Sequence, residues 1–436
     1  MPKIIKIALR LLTSVSIIFL CLNTAIGDSK GFTSASSADE VRAQIEKLPR
    51  DAIWWSVKGK DMAWNNRNLH RMFPTVNVYR AGPVRELAYR PMPEISSFKV
   101  STAEGDMPFI EFLSSDQSTT MGIVILHKGD IVFESYPRQK DYEKPIYWST
   151  AKAFVSTLVA ILEDRGLVDV SKPIESYIPE LAESSFAGVT VRNFLDMATG
   201  VDCPEEYEDQ DSCYYRYSMT IGDGYWTDKS PDNPYTFLAN VKADRWAEQG
   251  TSFSYSGVNT FILGWLVEKI TGMPFQDALS REIWTRIGAE SDASFLAPRY
   301  GVPNTHGGLL ARVRDVARFG LLFTPSYRVV SDEKIISDRY LDLILNGGNP
   351  DLLKNARYGA PKDLTIKHNV YQWDRVWSNN DFIKGGWGGQ GLLINPERDL
   401  VAVWTGYFKD DKRSEVKLLP ILRTVLEGVF GPTSGD

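Results

Sequence analysis

Read by the spacing of its apolar positions, the chain shows strand-like runs on either side of a long helical stretch. From residue 121, M-G-I-V-I-L-H-K-G-D-I-V-F-E-S-Y carries two β-branched runs around Lys128-Gly129-Asp130, which predicts a hairpin. Residues 150–345 are mostly helical in pattern. Besides an apolar helix opening at Thr150, they contain T-V-R-N-F-L-D-M-A-T-G, N-T-F-I-L-G-W-L-V-E-K-I-T-G and L-A-R-V-R-D-V-A-R-F-G-L-L-F, each ended or followed by Gly or Pro. Strands return with Q-G-L-L-I-N, the turn P-E-R-D, and L-V-A-V-W-T-G-Y-F. A last helix is expected from about Ser414 to Val429, kinked at Pro420. Strands at both ends with helices between predict an α+β fold, an antiparallel sheet built from both chain ends with a helical region inserted. Residues 28–105, with W-W-S-V-K-G, M-A-W-N-N-R-N and several prolines, read as an ordered leader wrapping the core, and their sequence assigns no chemistry to them.

The first 27 residues change the setting. Lys3, Lys6 and Arg10 precede and enter an apolar stretch that runs to Leu22 and closes on Ala25-Ile26-Gly27, the pattern of a cleaved secretory signal peptide. Leu20 before Cys21 is not small, so a lipoprotein anchor is not expected. The mature chain, 28–436, then reads as one exported domain, periplasmic or extracellular, with no stable membrane anchor. Loss of three cations makes the net charge of −6 more negative still, which argues against nucleic acid or an anionic membrane as partner. Cys203 and Cys213 remain as an even pair, which in an oxidising compartment predicts a disulfide. No zinc, calcium or phosphate motif is present, and the acids at 205–211 read most simply as a solvated loop, with a cation site as the lesser alternative. Twelve Trp, 19 Tyr and 20 Phe supply a large core and an aromatic-lined cleft.

The candidate chemistry begins in Y-W-S-T-A-K-A-F-V-S-T-L-V-A-I-L-E-D-R-G, residues 147–166, where Ser149 and Lys152 stand three apart at the start of the apolar helix. Residues at i and i+3 share a face, and the first-turn amides, Ser149 N–H included, are available to an oxyanion. An N-cap serine followed by a surface lysine is the plainer alternative, but Lys152 lies inside an apolar run, where an ammonium needs a reason to be kept. A serine hydroxyl needs a base. The chain has only four histidines and no G-x-S-x-G, so Lys152 is the local base and Tyr255, in G-T-S-F-S-Y-S-G-V-N-T, the second. Burial should lower the lysine pKa, and an adjacent ammonium should lower that of the tyrosine. In F-I-K-G-G-W-G-G-Q-G-L-L-I-N, Gly386, Gly388 and Gly391 match G-x-G-x-x-G, but no helix follows, which excludes a dinucleotide site. A glycine-rich strand that a substrate can approach, with an amide serving as second oxyanion donor, fits better.

In this order, W-S-T-A-K, Y-S-G-V-N-T-F-I-L-G-W and G-W-G-G-Q before L-L-I-N-P-E-R-D-L-V resemble the serine β-lactamase and penicillin-binding-protein superfamily. The likeness is to its class C and esterase branch, closest in look to 6-aminohexanoate-dimer hydrolases, over roughly 115–410. The resemblance implies a β-lactamase/transpeptidase-like fold and hydrolysis of small amide or ester substrates through an acyl-enzyme, without a cofactor. It implies Ser149 as nucleophile, Lys152 and Tyr255 as the proton-transfer pair, and the amides of Ser149 and Trp387 as the oxyanion hole. It also makes Tyr207, in M-A-T-G-V-D-C-P-E-E-Y, a substrate-contacting residue. Two positions depart from the class C pattern: Gly257 replaces the asparagine of Tyr-x-Asn, and Lys384-Gly385-Gly386 replaces Lys-Thr-Gly. Efficient β-lactam hydrolysis is therefore not expected. The remaining readings are a non-catalytic penicillin-binding module and a D-alanyl-D-alanine peptidase.

Overall fold

Why the apolar runs at the two ends are nearly continuous becomes plain once their sheet is seen, because both of its faces are covered. The computed structural model describes residues 36–49, 54–224, 226–299, 301–357, 359 and 365–433, and the signal peptide expected over 1–27 lies outside them. The chain divides into two compact units, Met1–Ala43 and Gln44–Asp436, and all strands among the described residues lie in the second. They are β1 (Thr75–Val78), β2 (Lys99–Thr102), β3 (Gly105–Pro108), β4 (Thr120–His127), β5 (Asp130–Ser135), β6 (Ala293–Leu296), β7 (Leu309–Leu310), β8 (Ile366–Val370), β9 (Trp373–Trp377), β10 (Phe382–Gly386), β11 (Gln390–Asn395) and β12 (Leu400–Gly406). Seven of them form one sheet in the order β5-β4-β12-β11-β10-β9-β8. Every pairing in it is antiparallel, and β12 closes against β4 with Val403 opposite Val124. The chain ends thus meet in one sheet, as the α+β reading requires.

Alternate residues of these strands serve two cores. Val124, Leu126, Leu392, Ile394, Val401 and Val403 face the larger core, under the helical region. Ile123, Ile125, Leu393, Ala402 and Trp404 face a smaller one, closed by Leu422, Val425 and Leu426. The latter belong to the final helix, Leu418–Phe430. That helix starts later than expected, so Pro420 falls in its first turn, where a missing N–H is harmless, and no kink is needed. The hairpin turns at Lys128 (φ 51°) and Gly129 (φ 83°), the left-handed pair that a two-residue connection favours.

The region 150–345 also holds part of a small sheet, β1-β6-β7, that the apolar pattern did not reveal. Its strands of four and two residues are too short to show a period. Residues 54–78 pack as ordered structure, with Trp54 and Leu69 buried beside Trp148. At the centre, the helix Lys152–Asp164 is buried from Lys152 through Leu162, with only Glu163 and Asp164 reaching the surface.

Candidate active site

Ser149 does not sit on the α-helix itself. It lies in a 3₁₀ turn, Trp148–Ala151, that feeds the helix beginning at Lys152. Residues three apart eclipse in a 3₁₀ turn, so the side chains of Ser149 and Lys152 are brought together more directly than in an α-helical first turn. The residue before the serine, Trp148, is buried and held at φ 46°. A bulky residue in that region is strained, and such strain persists only where packing enforces it. Here Trp148 is wedged among Trp54, at 6.0 Å between ring centroids, and Trp55, at 5.7 Å.

Lys152 is fully buried, with Nζ 3.0 Å from Ser149 Oγ and 2.8 Å from the carbonyl oxygen of His306. Burial pushes its pKa down to about 8, against an upward pull from Glu205 and with a further downward push from Lys384. Tyr255 bonds to Ser149 and also accepts from Lys384 Nζ at 3.2 Å. Both ammonium groups lie 4.9 Å from its ring centroid. The expectation that an ammonium lowers the tyrosine pKa is overturned: burial raises it well above the ordinary value, and Asp374 and Glu205 add to the rise. Lys152 is therefore more readily neutral than an ordinary lysine, and Tyr255 stands as a neutral phenol.

Lys384, also fully buried, is paired with Asp374 on the neighbouring strand, and Asp374 also accepts from the Gly385 amide at 2.9 Å. Sequence reading missed Asp374. The signal was the lysine itself: a buried ammonium in a strand needs a counter-charge, and the β9–β10 hairpin, with Ile383 opposite Arg375, brings the residue before Arg375 to it.

Strand β10 ends against the turn that carries Ser149. Its pairing to β9 stops at Ile383, which leaves Lys384–Gly386 facing that turn, and a Cβ at Gly386 would stand 2.3 Å from the Tyr147 carbonyl oxygen. Only glycine allows this approach. Gln390 pins the following turn, donating to the carbonyls of Trp387 at 3.1 Å and Gly406 at 2.9 Å and accepting from the Gly406 amide at 2.7 Å. Gly386→Ala should therefore push strand and serine apart, lowering kcat by about tenfold or more, on the order expected for a misplaced reacting group, with less change in KM. Steady-state kinetics on a nitrophenyl ester checks this.

Ser149, Tyr255, Gly386, Trp387, Gly388 and Tyr207 all line one cleft of about 1360 Å³, and Lys152 and Lys384 bond to its lining. The acids at 205–211 are not simply solvated, since Glu205, Glu206 and Glu208 line the same cleft. Cys203 and Cys213 are joined, with Cα atoms 5.2 Å apart, and brace the loop that carries Tyr207. Its hydroxyl bonds to Glu205 and to Tyr214, both at 3.2 Å. Tyr214 in turn meets the His306 ring at 3.3 Å, and Tyr217 meets it at 3.1 Å from the other side. Replacing both cysteines by serine should cost about 2–3 kcal/mol of stability, read by urea denaturation, and raise KM as Tyr207 loosens.

The sequence matches the family model described as Beta-lactamase over residues 109–415. The chain belongs to the beta-lactamase family. A 6-aminohexanoate-dimer hydrolase of Paenarthrobacter ureafaciens is 26% identical over 343 residues, covering 78% of this chain and 84% of the relative. A beta-lactamase of Providencia stuartii is 24% identical over 222 residues, covering 49% and 52%. Among solved structures, a candidate 6-aminohexanoate-dimer hydrolase from Bacillus anthracis superposes with a TM-score of 0.72 at 21% identity, covering 91% of this chain and 98% of its own. A family VIII carboxylesterase gives 0.53 at 16%, covering 78% and 100%. These structures share the fold. Within the family, the glycine at 257 has a steric cause: a Cβ there would stand 2.4 Å from Tyr214 Oη and 2.7 Å from His306 Cδ2. Gly257→Asn should thus displace the Tyr214–His306 cluster and lower thermal stability without conferring cephalosporin hydrolysis, both measurable on one preparation.

Proposed function

We propose that the protein is an exported serine hydrolase that cleaves small amide or ester substrates through an acyl-enzyme on Ser149. The observation that carries this reading is the fully buried Lys152, its pKa lowered to about 8 and its Nζ 3.0 Å from Ser149 Oγ. A neutral Lys152 takes the proton as Ser149 Oγ attacks the substrate carbonyl. The amides of Ser149 and Trp387 hold the developing oxyanion. Tyr255, bonded to Ser149 and flanked by two ammonium groups, relays the proton that Lys152 has taken on to the departing amine or alkoxide and ends neutral again; Lys152 then takes a proton from the water that attacks the acyl carbon, and returns it to Ser149 Oγ as the acid leaves. Tyr207, on its disulfide-braced loop, contacts the bound substrate. Export through a leader over 1–27 agrees with the Cys203–Cys213 bond.

The pH dependence follows from the sign of the lysine shift. The base is the neutral form, so kcat/KM for an ester should rise with pH, reach half its plateau near pH 8, and level off above. A profile that is flat from about pH 6 to 9.5, or that falls over this range, would remove Lys152 as the base. Turnover of nitrophenyl esters and linear amides by the purified protein, with covalent labelling by a fluorophosphonate, tests the function as a whole.

A further inference from the structure

The leader stretch M-A-W-N-N-R-N, to which sequence reading assigned no chemistry, folds into the helix Gly59–Asn68. That helix meets both turns that carry the proposed oxyanion donors. The Ser149 amide belongs to the turn Trp148–Ala151, and the Trp387 amide to the turn between β10 and β11. The direct tie from the Thr150 hydroxyl to the Lys384 carbonyl is long, at 3.5 Å. Asn66 joins the two turns more firmly. It is 1% exposed, its Oδ1 accepts from the Trp148 indole N–H at 3.3 Å, and its Nδ2 donates to the Gly406 carbonyl at 3.0 Å. Only this orientation of the carboxamide makes both bonds, since an indole N–H can only donate and a carbonyl can only accept. The Asn66 carbonyl also accepts from the Ile146 amide at 2.8 Å, so the chain entering the Ser149 turn is held by its backbone as well. On the other side, the Gly406 carbonyl is the one that takes the Gln390 side chain, which in turn holds the Trp387 carbonyl. Met62, one helical turn before Asn66, presses on the same place: a Cβ at Gly388 would stand 2.8 Å from its Cε and 3.5 Å from Asn66 Nδ2. Trp148, at φ 46°, would turn the Ser149 amide if its backbone relaxed, and the bond to Asn66 opposes that.

We propose that Asn66 is a positioning residue for the oxyanion hole, setting the spacing of the Ser149 and Trp387 amides by tying Trp148 to Gly406. It acts through these two partners and not on the reacting atoms. This rests on the serine-hydrolase reading and makes the leader a working part of that site. Two donors from separate turns must meet one developing oxygen, so an error in their spacing weakens the transition state more than the bound substrate.

The test uses Asn66→Leu, which keeps the volume and makes neither bond, and Asn66→Ser, which is too short to reach both partners, each in the full mature chain. Both should lower kcat/KM for 4-nitrophenyl acetate on the order of tenfold or more, mainly through kcat. Inhibition by phenylboronic acid, whose tetrahedral adduct on Ser149 places an oxygen between the two amides, should weaken by a similar factor. The pH of half-maximal activity should stay near 8, because Lys152 is not moved. A purely structural role would lower the thermal midpoint and the folded fraction but leave the boronate affinity of the folded protein at the parent value. That result, or kcat/KM at the parent level in either variant, overturns the proposal. If Asn66→Leu does not fold, Asn66→Ser carries the comparison. A parent protein that turns over no ester counts against the hydrolase reading, and amide hydrogen exchange, which needs no substrate, then decides the role of Asn66. Peptides covering 146–151 and 386–390 should both exchange faster in Asn66→Ser than in the parent, with 120–135 unchanged. Parent-like exchange in either turn overturns the proposal.

Discussion

Ser149→Ala is expected to lower turnover of every ester and amide substrate by on the order of 10⁴-fold or more while leaving the fold in place, since nucleophile deletions have effects of that size. The side chain is half-buried, and among the described residues its hydroxyl bonds to Lys152 and Tyr255, the proposed proton-transfer pair. Its removal leaves Lys152 still held by the His306 carbonyl at 2.8 Å, so no buried ammonium is stranded. Circular dichroism and the thermal midpoint should therefore match the parent protein. Turnover reduced only a few-fold would mean that another serine, or water activated elsewhere, carries the reaction.

The second large effect concerns the two groups around that hydroxyl. Lys152→Ala and Tyr255→Phe should each lower kcat/KM on the order of 10²-fold or more, as loss of general acid-base groups does. The double variant should lose far less than the product of the two, because both serve one proton transfer. The single losses need not be equal in kind. Lys152→Ala empties a fully buried site and leaves the His306 carbonyl unpaired, so Lys152→Met, which fills the volume without the charge, is the cleaner variant. The rise of activity through pH 8 should vanish in Lys152→Met and persist in Tyr255→Phe, since the tyrosine is protonated throughout that range. Multiplicative losses, or a pH profile that follows Tyr255 instead, would transfer the base role to the phenol.

What could be read in the sequence divides along physical lines. Ser149 and Lys152 were legible because they are local, three residues apart, with a charge in an apolar run that nothing local explains. The two-ended sheet was legible because β4 with β5, and β11 with β12, carry long apolar runs around recognisable turns. Tyr255 and Trp387 gained meaning only from the order of three motifs, since a tyrosine or a glycine-rich strand alone is common. Asp374 was not legible because its role depends on a hairpin register, and the β1-β6-β7 sheet was not because its strands are too short to show periodicity. The tyrosine's pKa went the other way from expectation because a neighbouring ammonium was weighed and the burial of the hydroxyl was not. Asn66, Trp148 and Gly406 lie far apart in sequence and share a carboxamide bridge that only the folded chain creates.

Covalent chemistry at Ser149 is tested most directly by treating the purified mature protein with a fluorophosphonate and mapping the adduct by peptide mass spectrometry. One adduct per chain, on the peptide containing W-S-T-A-K and located at Ser149, is expected, with the rate of labelling rising through pH 8. An adduct on a different serine, or a correctly folded protein that takes up no label, would contradict it.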